Sequence, residues 1–390
     1  MASKVYFGSS KQYQLRAEET LPAKLDLILD KLNIRHRVKD EMVAIKMHLG
    51  GNVGYSTIHP VFVRKVVKAV KDGGGKPFIT DTTWSAISAA DRGYSSETLG
   101  CPVYPISGLQ EKYFYTIQKE YKSIKEWKMG GFIHDATFLI DFSHVKGHPS
   151  CSYGGAIKNL ALGGFIGETR GKMHDVVHFD PYWFPEKCSD KKKMQKIIDS
   201  CPMQALVFDK KDPKKLHLHF EPCNQCFECL KVAPNGALKL SPELFASFQE
   251  ACAISSGLVL ATFKPEKRAF INLINNVTPI CDCFGFTGMA ILPDIGIVGS
   301  DDIVTIEQAS LDLLKPYKIM TENLPGEIRY LPKVKGHPLQ KIHGVYKDPY
   351  IVVKELEKMG FGSKKYELVD VYPVKPPKIF KSVFIPADEM

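Results

Sequence analysis

The chain has 390 residues, 44% of them hydrophobic and 24% charged, with a formal net charge of +9. That length is enough to bury a large core in two or three structural units. No apolar run reaches the length of a membrane span, the N-terminus lacks a secretory hydrophobic segment, and ten cysteines in 390 residues are not a small secreted disulfide scaffold. A cytoplasmic, reducing location is expected. The excess charge sits partly in Lys191-Lys192-Lys193, Lys210-Lys211, Lys214-Lys215 and Lys364-Lys365. No aromatic-and-basic nucleic-acid motif lies beside these runs, which read as solvated faces or as a docking patch for an acidic partner.

Val43–His48 reads as a buried strand followed by the turn Gly50-Gly51-Asn52. His59-Pro60 opens a helical pattern through Val63, Val66, Val67 and Val70 that stops at Gly73-Gly74-Gly75, and Lys76–Asp81 is again a strand. A strand–helix–strand unit with polar residues at the strand ends predicts a mostly parallel α/β sheet with helices. Ala136–Asp141 repeats the theme and runs into Ser143–His148. A segment from 183 to 245 interrupts the pattern. The helix 242–262 and the strand Ala269–Ile274 resume it, followed by a strand and turn over 293–300. Asp301-Asp302 is placed to cap a helix over Ile303–Leu314, and a short helix near Tyr350–Met359 stops at Gly360. The expected division is 1–182 and 246–372 as two parts of one α/β domain, 183–245 as a small α+β insert, and 373–390 as a surface strand or disordered tail.

The insert holds Cys223-Asn-Gln-Cys226-Phe-Glu-Cys229, three cysteines two residues apart. Bacterial ferredoxins complete such a set with a distant Cys-Pro, and Cys201-Pro202 supplies it here. Cys201-Pro-Met-Gln-Ala-Leu206 and Ala233-Pro-Asn-Gly-Ala-Leu238 look like one segment written twice, with the cysteine kept only in the first copy. Cys188 looks like a survivor of a second set, but Lys191 and Met194 stand at its next ligand positions. The reading is a ferredoxin-like unit reduced to one 4Fe–4S cluster on Cys201, Cys223, Cys226 and Cys229. Zinc is the weaker reading, since zinc sites favour separated cysteine pairs.

Ligand sites in parallel sheets gather beyond the carboxyl ends of the strands. His144, Lys146, His148 and Lys158, with Asp81, are the candidate catalytic groups there. The histidines suit proton transfer or metal binding, and the lysines suit a small anionic substrate. Lys46, His48, Gly154, Gly155 and Asn159 are the candidate substrate-binding residues: Lys46 and His48 share one strand face, and paired glycines let backbone approach a ligand closely. Asp81 could equally cap the following turn, Cys151 reads as a small packing residue, and His174 and His178 would share a helix face. Cys281-Asp282-Cys283 could hold a second, soft metal, react with an electrophile, or pack along one extended face.

Val43–His48, Gly74–Asp81, Ser143–His148, Gly154–Asn159, Cys281–Cys283 and Pro293–Ile297 together make the chain resemble domain-of-unknown-function family 362, whose members are often labelled iron–sulfur centre proteins. The resemblance spans about residues 40 to 370. It implies a two-cluster ferredoxin insert in many members, from which this chain departs by losing one ligand set. Its α/β part is also distantly similar to the scaffold of nickel-pincer lactate racemases, an analogy of fold alone. The combined expectation is an iron–sulfur oxidoreductase or electron-transfer protein. An external ferredoxin or flavoprotein would supply electrons, and neither nucleic acid nor membrane would be a partner. No dinucleotide or Walker glycine pattern points to NAD or ATP. A non-redox isomerase or lyase with a structural cluster, and a cluster or metal carrier, stand as alternatives.

Overall fold

Alternation of side chains along the central strands decides how the sheet is covered. In strand β2 (Met42–Lys46), Val43 and Ile45 enter one apolar core while Ala44 enters the other. Such two-sided burial is what a parallel sheet with helices on both faces requires. The computed structural model describes residues 2–328 and 335–372. The expected tail beyond 372 lies outside them.

The main sheet has eight strands in the order β14-β1-β13-β12-β7-β2-β3-β4. They are β1 (Ser3–Ser9), β2, β3 (Lys76–Asp81), β4 (Val103–Pro105), β7 (Phe138–His144), β12 (Arg268–Ile274), β13 (Gly296–Ser300) and β14 (Tyr366–Asp370). Only β13 runs against its neighbours; the other pairings are parallel. Among the described residues there are also three small antiparallel pairs: β5 (Phe114–Tyr121) with β6 (Ile124–Gly130), β8 (Lys146–His148) with β9 (Ser152–Gly154), and β10 (Leu206–Phe208) with β11 (Leu216–Leu218).

The longer helices are α1 (Leu21–Lys31), α2 (Pro60–Asp72), α3 (Ala156–Gly163), α4 (Gly167–Asp175), α5 (Lys191–Asp199), α6 (Pro242–Leu260), α7 (Ile303–Leu314) and α8 (Ile351–Lys358). Helices α1 and α2 cover one face of the sheet, while α3, α6 and α7 cover the other. Asp302 caps α7 through the Thr305 N–H, as the paired aspartates predict. Among the described residues, no helix is long and apolar enough to cross a membrane.

The expected insert contains α5, the β10–β11 hairpin and a single helical turn, Glu228–Val232. The internal repeat is visible in the backbone: Gln204 and Gly236, the fourth residues of the two copies, both have positive φ, at 49° and 73°. The apolar residues Met194, Ile197, Leu206 and Leu218 continue the core beneath α6.

A polar belt crosses the α3 face. Glu307 of α7, fully buried, accepts from the Tyr153 hydroxyl, the Ala156 and Ile157 N–H groups and the Asn272 amide. It thereby fixes the start of α3, where no side chain caps the helix. Glu307→Ala leaves those donors buried and unsatisfied, with an expected stability loss of about 3 kcal/mol or more. Glu307→Gln keeps an acceptor and should lose less; urea denaturation midpoints of the two variants check the ranking.

Candidate functional site

The carboxyl ends of β12, β7, β2 and β3 lie side by side, which brings His144, Lys46 and Asp81 to one edge of the sheet. Asp81 is the hub. It accepts from Lys46 Nζ at 2.9 Å and from the Leu49 N–H at 2.9 Å, and its second oxygen lies 2.9 Å from His48 Nδ1. Burial alone would raise its carboxyl, but Lys46 and His48 hold it well below the usual carboxylate range. His48 responds in kind: burial would lower it, and Asp81 raises it above 6.5.

Lys46 uses its remaining donors on Asn159 Oδ1 (2.7 Å) and the Met47 carbonyl (3.3 Å). The Asn159 amide donates to the Lys46 carbonyl (3.0 Å) and to Asp141 (2.8 Å). Both residues were expected to contact substrate; their polar atoms are instead committed to holding β2, β3, β7 and α3 together. Helix α3 can come this close because Gly163 has no side chain: a Cβ there would lie 2.3 Å from Lys46 Nζ. Asp141 is pushed up to about 7 by burial, against hydrogen bonds from Ser143 and Asn159.

Around this hub opens a cavity of about 680 Å³. It is lined by His48, Asp81, His144, Lys146, His148, Gly154, Gly155, Lys158, Cys281 and Cys283, as well as by Lys46 and Asn159. Every pocket residue expected from the sequence therefore meets at one place. Their freedom differs. His144 has both ring nitrogens against acceptors, Asp282 at 3.3 Å and the Asn275 carbonyl at 2.9 Å, which leaves no nitrogen for a ligand. Lys146 pairs with Asp282 at 3.1 Å. Gly155 is required by packing as much as by the cavity, since a Cβ would lie 2.3 Å from Glu307 and from the Tyr153 hydroxyl. Asp282, read in the sequence only as the residue between two cysteines, is the buried anion that organises this wall, and Ser56 also bonds to it.

Lys158 Nζ lies 3.2 Å from the Cys281 sulfur and 3.9 Å from that of Cys283. Burial would raise the Cys281 thiol, but Cys283, Lys158, Lys146 and His48 together hold it well below the ordinary thiol range. The donor atoms of His148, Cys281 and Cys283 all lie within 4.8 Å of one another, compact enough to hold a metal ion. Cys151 is a buried thiol pushed up to about 12 by that burial, in keeping with a packing role. His174 lines the cavity from α4, whereas His178 falls in the following turn and stacks on His217 at 4.8 Å, so the two do not share a face.

Cys201, Cys223, Cys226 and Cys229 line a second, small and largely apolar concavity with Met203, Leu206, Leu218 and Leu240. The Ala205 N–H points at Cys201 Sγ (3.3 Å), and backbone groups at Gln225, Glu228 and Leu230 stabilise the other three sulfurs. No three of these sulfurs lie within 4.8 Å of one another. Lys347, which the sequence did not single out, closes the back: its buried ammonium donates to the carbonyls of Phe220 (2.9 Å), Glu221 (3.2 Å) and Cys223 (2.7 Å). Its own carbonyl accepts from Ser152 of β9, the strand whose Gly154 lines the cavity. Burial lowers Lys347 to about 8.

The Asp81 hub sets a pH signature. Raised in the folded state, His48 contributes stability that is fully present below about pH 6.5 and is lost as pH rises through its folded value. Asp81, depressed, contributes stability present above about pH 3.8 and lost as pH falls through its folded value. Asp81→Asn should cost about 3–5 kcal/mol at neutral pH by stranding buried Lys46. It should also flatten the decline in stability above pH 6.5, measured by denaturation across pH.

No curated protein matches the chain. The structure of the lactate racemase apoprotein from Thermoanaerobacterium thermosaccharolyticum is similar over 64% of this chain and 49% of that one, at 10% identity and a TM-score of 0.31; the chain thus spans about half of that protein. The family described as Domain of unknown function (DUF362) matches residues 43–312, and the chain belongs to that family.

Proposed function

We propose that the chain is an iron–sulfur oxidoreductase, with one 4Fe–4S cluster held by Cys201, Cys223, Cys226 and Cys229 and a small anionic substrate or cofactor bound in the cavity. One observation carries the reading: Glu221 lines the cavity and Cys223, two residues on, lines the cradle. Two residues of chain span at most about 7 Å, so cradle and cavity share a wall. The gathering of the four cysteines in one largely apolar concavity and the backbone N–H groups directed at them support a cluster there.

When bound, such a cluster supplies electrons one at a time. The protein's own groups do the rest. Lys158 and Lys146 line the cavity and offer donors to a carboxylate or phosphate. The exposed lysines at 191–193 and 210–215 belong to the same small unit as the cradle and offer a docking face for an acidic ferredoxin or flavoprotein that delivers electrons. His148, Cys281 and Cys283 remain the place where a second metal could sit.

Protein purified without oxygen should contain about four irons and four sulfides per chain. It should also develop a reduced-cluster electron paramagnetic resonance signal on adding dithionite. A full cluster that stays unreduced would make it structural and turn the assignment toward acid–base chemistry. Absence of iron would end the reading.

A further inference from the structure

The cavity is far larger than a bare anion. At about 680 Å³ it has the capacity of a site for a drug-sized molecule, well beyond what a lone carboxylate or phosphate fills. Its buried part gathers cations, and most of them are already paired: Lys46 with Asp81 (2.9 Å), Lys146 with Asp282 (3.1 Å) and Arg170 with Glu111 (3.6 Å). Lys158 differs. It lines the same space, and among the described residues no carboxylate pairs with it. Its ammonium has three donors and two sulfurs beside it, which leaves at least one donor for a ligand.

The open part of the cavity is aromatic. Trp84, in the helical turn Thr83–Ile87 that follows β3, lines it yet is 65% exposed. Phe284, in the turn Asp282–Phe284, lines it and is 41% exposed. Gly51 sits between the two segments: a Cβ there would lie 3.7 Å from Trp84 Nε1 and 3.6 Å from Gly285 Cα. The indole and the turn that carries Phe284 therefore approach each other across a bare glycine. The Phe284 ring in turn lies 6.5 Å from that of the buried His148. Rings left this open forgo the burial their size offers, and a flat apolar group laid against them recovers it.

We propose that the ligand of the cavity is a flat aromatic ring bearing an anionic group, with the ring against Trp84 and Phe284 and the carboxylate or phosphate at Lys158. The inference rests on the reading of the cavity as an anion site and narrows it to a class of compound; it depends on neither the cluster nor a metal. A bare anion engages the lysine and leaves the aromatic mouth open, while a neutral ring leaves the lysine donor unused, so the two parts are recognised together. A ring suits the mouth better than a flexible chain, because a rigid plane stacks on an indole without giving up rotamer freedom.

The test is isothermal titration calorimetry on the anaerobically purified full-length protein. The probes are 1-naphthoate and 1-naphthyl phosphate as ringed anions, acetate and inorganic phosphate as bare ones, and 1-naphthol as the ring alone. At least one ringed anion should bind about 10-fold tighter than both its bare counterpart and 1-naphthol, and the tighter of the two identifies the head group. Trp84→Ala, at an exposed position, should erase that gain and leave the bare anion unchanged, whereas Trp84→Phe should keep most of it. Lys158→Gln should weaken ringed and bare anions alike. A ringed anion that binds no tighter than its bare counterpart would overturn the inference and leave the anion site standing. So would a gain that survives Trp84→Ala, or a ringed anion indifferent to Lys158→Gln. Failure of every anion to bind would overturn the anion site as well, while the iron and sulfide content of the same samples judges the cluster separately.

Discussion

The buried carboxylate of Asp81 is the constraint on which the rest of the site depends. Side-chain oxygens with so little exposure persist as anions only when cations and donors surround them, and Lys46, His48 and the Leu49 N–H do so here. Because those groups come from the ends of β2 and β3, the ion pair fixes the strand ends, the tautomer of His48 and, through Asn159, the seat of α3. The geometry facing the cavity follows from this one desolvated charge.

Two further buried charges extend the same logic outward. Glu307 gathers the donors at the start of α3 and so places Lys158 in the same first turn. Lys347 gathers the carbonyls before and at Cys223 and ties them to Ser152 of β9, the strand that brings Gly154 to the cavity. Cradle and cavity are thus joined through Lys347, whose ammonium bonds the cradle carbonyls and whose own carbonyl accepts from Ser152 of β9.

Much of this was legible in the sequence because the carriers were local. Strands ending in polar residues, such as Lys76–Asp81, predicted both the parallel sheet and the edge where its polar groups gather, and Cys223, Cys226 and Cys229 do line one concavity. What escaped was set by distant pairing. Lys46 and Asn159 read as free polar groups, and only contact across 113 residues shows them committed to each other. Lys347 and Glu307 carry no motif, since a buried charge has no signature until its partners are known. The strands β1 and β14, mixed in polarity and at one side of the sheet, gave no alternating pattern to read.

The shared wall between cradle and cavity is the central claim, and Glu221 stands in it. Hydrogen bonding from His174 holds its carboxyl down to about 2, so it is an anion at neutral pH. An anaerobic redox titration of the cluster, followed by electron paramagnetic resonance in wild type and in Glu221→Gln, tests the arrangement directly. Removing one negative charge at that distance should raise the midpoint potential by an amount on the order of tens of millivolts. Equal potentials in the two proteins would contradict the account.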